Sequence, residues 1–292
     1  MAPDGLLVVD KPEGPTSHDI VARARRLFST RSVGHAGTLD PMATGVLVLL
    51  FGEALKLSSY LTLDEKAYVA EVTFGVATDT LDAKGTVTLE APLPPDALEP
   101  ARVAAALAAE RDRTLQVPPA VSAIKVGGER AHRLTRRGTT PVLEPRPIRV
   151  ERLELLESHA ERLTVAVSAS KGYYVRSLAR DLGAALGVPA HLSRLRRTRS
   201  GAFTVENATP WPPPELPALL PVVRAAEHAL PRAELTTAGA AKARLGQRLG
   251  TEHFAVAPAS EGPHAWLDPD GGLVAIGQSS EQSFRVLRGF RA

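Results

Sequence analysis

Cysteine is absent from the 292 residues, which excludes disulfides and thiolate metal sites. No apolar run approaches the roughly 18 residues that a membrane-crossing helix needs. The opening Met1-Ala2-Pro3-Asp4 has neither the basic start nor the apolar core of a signal peptide, so a cytoplasmic protein is the default expectation. There is no internal repeat and no low-complexity segment. A Walker-type phosphate loop, a Gly-x-Gly-x-x-Gly after a strand and a histidine pair with zinc spacing are all missing, which leaves nucleotide-dependent or metal-dependent chemistry a poor reading. Asp79 and Asp82 lack the ligand count of a calcium loop and read as turn formers.

What is present is an ordinary apolar share of 44%, enough for one large domain and a small one. Net charge is only +3, yet residues 111–200 carry 18 basic and 8 acidic side chains. That basic middle is rich in arginine, whose planar fork suits phosphate, so it reads as an RNA-binding surface or as a solvated charged face. The segment Leu6–Lys11 reads as a buried strand ended by Lys11-Pro12. Thr16 or Ser17 can cap a helix whose apolar positions are Ile20, Val21, Ala24 and Leu27.

Asp40 stands alone as an acid in Gly34-His35-Ala36-Gly37-Thr38-Leu39-Asp40-Pro41-Met42-Ala43-Thr44-Gly45, directly before the apolar run Val46–Phe51. Pro41 restricts Asp40 to an extended or turn conformation. A carboxylate on a stiff loop against a strand is well placed to meet a substrate, although a lone Asp-Pro more often caps a turn. Further on, 66–75 alternates as a half-buried strand, 99–110 is an amphipathic helix, and strands are expected at 148–156 and 163–168. A helix is expected from Gly172 to Gly187. Trp211-Pro212-Pro213-Pro214 reads as a stiff connector, 222–229 as a helix packing back on the first domain, and Asp270-Gly271 as a hairpin turn.

The Asp40 stretch resembles the signature of the stand-alone pseudouridine-55 synthases of tRNA. So do Lys11-Pro12-Glu13-Gly14-Pro15-Thr16-Ser17, Lys66-Ala67-Tyr68, Phe74-Gly75, the block Thr78–Gly85, Pro118-Pro119-Ala120-Val121-Ser122-Ala123-Ile124-Lys125 and Lys171–Arg176. The resemblance covers about residues 5–205. It implies an α+β pseudouridine-synthase fold with a mixed, mostly antiparallel central sheet and flanking helices, followed by a small PUA-like β-barrel. The implied domains are 1–230, with an RNA-clamping insertion at about 114–146, and 231–292. It implies Asp40 as the catalytic carboxylate, Arg176 as its partner and Tyr68 against the target base. His35 would support the flipped nucleotide, with Tyr174 and Leu195 completing the pocket wall. Lys11, Lys125, Arg196 and Arg197 would contact RNA. Two departures stand out: Tyr173 occupies a position where threonine is usual, and His132 one where an aromatic residue is usual.

The implied reaction moves uracil from N1 to C5 attachment and adds no group, so no cofactor and no metal is expected. The implied partner is the tRNA T arm, with no membrane, no obligatory protein partner and a monomeric enzyme. A guide-RNA-dependent synthase subunit and a non-catalytic tRNA-binding chaperone remain as alternatives.

Overall fold

The computed structural model describes residues 3–62, 65–122, 124–126, 129–131, 137, 142–280 and 283–291. Seven strands make the spine of the central sheet: β1 (Gly5–Lys11), β3 (Thr44–Phe51), β4 (Lys66–Phe74), β5 (Val150–His159), β6 (Arg162–Ala169), β7 (Ala190–Ser200) and β8 (Thr209–Pro210). Their order is β5-β6-β4-β7-β3-β1-β8, and β2 (Val33–Ala36) adds to β3. Only β7 with β3 and β1 with β8 run parallel, so the sheet is mixed and mostly antiparallel, as expected.

The run Val46–Phe51 is apolar throughout because β3 is buried on both faces. Leu47, Leu49 and Phe51 join one core with helices α1 (Ser17–Leu27), α2 (Pro100–Arg111) and α3 (Val175–Leu186). Val46, Val48 and Leu50 point the other way, as the period of two requires. They join a second core with Ala225 and Ala226 of α4 (Val222–Ala229) and with Ala265, Leu267, Ile276 and Phe290. The C-terminal segment therefore shares its core with the central sheet across the expected boundary at 230/231.

That segment holds β9 (Arg232–Leu235), α5 (Thr237–Arg244), β10 (Phe254–Val256), β11 (Gly262–Leu267), β12 (Leu273–Ser280) and β13 (Ser283–Gly289). The sheet order is β10-β9-β11-β12-β13, and a single bridge, Leu249 to Phe284, links its last strand back to the segment before β10. Asp268 Oδ1 accepts from the backbone N–H groups of Asp270 and Gly272, closing the β11–β12 turn around Gly271 at φ 81°.

α1 opens with the Thr16–Asp19 capping box. α3 starts at Val175, three residues later than its periodicity suggests. Gly172 is left-handed at φ 90° and Tyr174 is extended, so the preceding turn cannot be helical. Of the insertion at 114–146, a short ladder pairs Leu115–Gln116 with Arg146–Pro147, and another pairs Lys125–Val126 with Glu129–Arg130. His132 and the side chain of Lys125 lie outside the described residues. Among the described residues no helix is long and apolar enough to cross a membrane.

Candidate active site

Asp40 sits on the loop between β2 and β3, and that loop is pinned from three directions. The Ser17 hydroxyl, at the start of α1, accepts from the Leu39 N–H at 2.8 Å and donates to the Leu39 carbonyl at 3.0 Å. Lys11 Nζ, at the end of β1, reaches the carbonyls of Pro12, Pro15 and Pro41. Arg197 on β7 donates from Nη2 to Gly37 O, from Nη1 to Thr38 O and from Nε to Val46 O. Gly45 lets β3 start beside β7: its φ is 97°, and a Cβ there would lie 2.2 Å from the Arg197 carbonyl oxygen.

Arg176, at the first turn of α3, brings its Nε to 2.9 Å from Asp40 Oδ2. The Arg176 side chain is 8% exposed and that of Asp40 is 36% exposed, so the pair is a buried cation presenting a carboxylate to solvent. The remaining guanidinium nitrogens donate to Thr80 O and Val121 O, both at 3.0 Å. A second carboxylate, the buried Asp82, stands 3.8 Å from the same Nε. Asp82 also accepts from the Thr80 hydroxyl and the Lys84 N–H. It does form the turn read from the sequence, and it faces Arg176 as well. Sequence reading missed the second role, although the block Thr78–Gly85 that carries the resemblance contains it.

Tyr174 caps α3, its backbone N–H and C=O both bound by the Gln116 amide at 2.8 and 3.3 Å. Burial raises its phenol pKa, Arg146 and Arg176 pull the other way, and Asp40 adds to the rise. The hydroxyl therefore stays protonated near neutrality. Tyr68 on β4 lies opposite Arg197 in the ladder, within electrostatic reach of its guanidinium. Leu195 is buried in the core against which Tyr68 packs. His35 on β2 meets the ring of His18 edge-on at 5.4 Å. Burial lowers its pKa, with His18 and Arg197 adding to the effect, and its Nδ1 is buried without a hydrogen-bond partner among the described residues.

Two basic residues expected on the RNA surface are internal supports. Lys11 is fully buried and Arg197 is 1% exposed, and each is occupied with carbonyls of the Asp40 loop. Neither can reach a phosphate without leaving the fold. Arg196 forms a two-pronged pair with Asp10, at 3.0 and 2.7 Å. Tyr173 explains its own departure: its hydroxyl donates to the buried Glu110 of α2 at 2.9 Å, away from Asp40's partners.

Lys11 carries a measurable consequence. Burial pulls its pKa from 10.5 to about 8, Asp40 opposing. Below pH 8 the burial penalty on the ammonium is fully present. Between about 8 and 10.5 the unfolded chain binds the extra proton, so this group's contribution to stability improves as pH rises. The urea midpoint of the wild type relative to Lys11→Met is therefore expected to climb between pH 7.5 and 10. A difference that stays flat across that window contradicts the assignment.

The fold is that of the pseudouridine synthases. Two solved complexes share the fold over nearly the whole chain. One is a Cbf5-Nop10-Gar1 complex, with TM-score 0.73 and 26% identity over 98% of this chain and 84% of that one. The other is an H/ACA RNP bound to a substrate RNA containing 2′-deoxyuridine, with TM-score 0.72 and 25% identity over 99% and 85%.

The profile described as "TruB family pseudouridylate synthase (N terminal domain)" matches residues 25–175. The one described as "tRNA pseudouridylate synthase B C-terminal domain" matches 176–211, which here is α3, β7 and the connection to Trp211. Curated proteins named tRNA pseudouridine synthase B from Mycobacterium sp. (strain KMS) and Mycobacterium tuberculosis (strain ATCC 25618 / H37Rv) are each 44% identical over 97% of this chain and 96% of their own length. The chain belongs to the TruB family of pseudouridine synthases.

Proposed function

We propose that the chain isomerises uridine 55 to pseudouridine in the T loop of tRNA. The observation that carries this reading is the half-exposed Asp40 carboxylate held 2.9 Å from the buried Arg176 in a chain of this family. The target base leaves the stack, at a cost of a few kcal/mol as an order of magnitude, and enters the space before Asp40. Tyr68 offers the ring against which uracil lies, while Leu195 and Tyr174 wall the pocket. Neutral His35 supports the splayed RNA from β2.

Asp40 acts as nucleophile or base while the C1′–N1 bond breaks, and the base turns and rejoins through C5, which gives up its proton to solvent as N1 takes one up. Arg176 aims the carboxylate throughout. It loses none of its own anchoring in doing so, because Thr80 O, Val121 O and Asp82 hold it from the other side. Residues 1–230 form the catalytic unit in this reading. Residues 231–292 form a PUA-like RNA-binding unit, and the enzyme works in the cytoplasm as a monomer.

A second reading, a subunit that needs a guide RNA and protein partners, draws on the fold shared with the H/ACA and Cbf5 complexes. The relatives at 44% identity, whose names specify tRNA, favour the stand-alone enzyme over it. A bare T-arm hairpin decides between them. With no other macromolecule present, the purified chain is expected to convert the uridine at position 55 to pseudouridine and to leave other uridines unchanged. Conversion only after addition of a guide RNA or protein partners favours the second reading.

A further inference from the structure

Among the described residues, several arginines of α3 and β7 are already bonded within the protein. Arg176, Arg180, Arg196, Arg197 and Arg199 all hold carbonyls or carboxylates. Arg146 is exposed and makes no hydrogen bond or ion pair with its side chain among the described residues.

Its position is nevertheless fixed. Arg146 stands opposite Gln116 in an antiparallel pair, and the next anchor along its strand is the buried Ile148, whose N–H donates to Thr114 O at 2.9 Å. Gln116 is the residue whose amide binds both backbone groups of Tyr174. Tyr174 in turn lies within electrostatic reach of Arg146, Arg176 and Asp40. Gln116 thus connects the strand of Arg146 to the tyrosine two residues before Arg176. The turn before Tyr174 is also tied to the same strand's continuation, with Ser170 N–H donating to Arg149 O and Arg149 N–H to the Ser170 hydroxyl, both at 2.8 Å.

We infer that Arg146 is a phosphate-binding residue that holds the RNA backbone beside the nucleotide whose base enters the Asp40 pocket. This rests on the reading of the chain as an RNA uridine isomerase. A flipped base leaves its flanking phosphodiesters splayed, and a planar fork of N–H donors on a held strand meets one of them with paired hydrogen bonds.

The test uses a T-arm hairpin RNA and the full chain, with Asp40→Asn as background so that binding is read without turnover. Adding Arg146→Ala is expected to weaken binding about 10-fold to 30-fold in 100 mM KCl. It should also lower the slope of log Kd against log salt by about 0.7 to 0.9, the signature of one lost phosphate contact. Arg146→Lys is expected to recover the slope and only part of the affinity. Arg152→Ala removes the same charge from an exposed arginine already paired with Glu154, and is expected to change neither.

In the background with Asp40 intact, Arg146→Ala at saturating RNA should keep its single-turnover rate within about threefold of wild type, since uniform binding is what has been removed. An unchanged salt slope in Arg146→Ala, or an equal loss in Arg152→Ala, overturns the inference. If the wild type still forms pseudouridine in that case, the inference fails alone. If the wild type neither binds nor modifies the hairpin, both the inference and the function reading fall.

Discussion

Asp40→Asn is expected to bind T-arm RNA within about threefold of wild type and to lose at least about 10⁴-fold in single-turnover rate, the scale on which removing a nucleophile acts. The two halves of this result come from different parts of the site. An amide keeps the shape of the carboxylate, so the pocket still admits uracil, but it is neither a nucleophile nor a base. The fold should tolerate the change, because Asp40 is on the half-exposed side of its pair. Arg176 keeps both backbone acceptors and the neighbouring Asp82. Near-identical thermal unfolding of the variant and wild type is the accompanying check. A variant that retains a tenth of the rate would remove Asp40 from the chemistry.

Arg176 should behave differently, since its loss leaves charge buried. Arg176→Ala strips the partner from Asp82, which is 9% exposed at its side chain, and opens the Thr80 and Val121 carbonyls. Breaking a buried pair from one side costs about 3 to 5 kcal/mol, so this variant is expected to unfold at a visibly lower temperature as well as to lose activity. Arg176→Lys separates the two effects. An ammonium keeps the charge between Asp40 and Asp82, but it cannot reach two carbonyls and a carboxylate along the directions of a planar fork. Stability should largely return, and the rate should stay about 10²-fold to 10³-fold down, the cost of a misdirected electrostatic contact in a site. Full recovery by lysine would mean that charge alone, without aim, is what the site needs.

Local chemistry made much of the fold legible. The Thr16 cap, the helix at 222–229 and the Asp270-Gly271 turn were each readable from a few adjacent residues. The run Val46–Phe51 announced a buried strand, though not that its two faces serve different cores. That depends on the C-terminal sheet, whose Ala265, Leu267 and Ile276 arrive from more than 200 residues away. Strand ends were less legible. β5 runs Val150–His159 rather than ending near residue 156, because its pairing with β6 continues to His159 opposite Arg162.

Of the candidate site, no spacing rule couples residue 40 to residue 176; that pairing was legible only through the family resemblance. Lys11 and Arg197 show the limit most clearly. A basic side chain in a basic segment reads as surface until strand pairing encloses it. Here β7 lies beside the start of β3 and turns Arg197 inward onto the carbonyls of Gly37 and Thr38. Gln116 and Ser17 carry no charge to draw notice, yet one holds Tyr174 and the other the Asp40 loop.

The central claim is that a uracil ring is detached from its ribose in front of Asp40 and reattached through C5. Because C5 must give up its hydrogen, a T-arm hairpin carrying tritium at C5 of its target uridine reports the event directly. Wild type alone is expected to release that tritium to water, one equivalent per RNA, while Asp40→Asn releases none. Retention of the label by wild type, or equal release by the variant, would contradict the account.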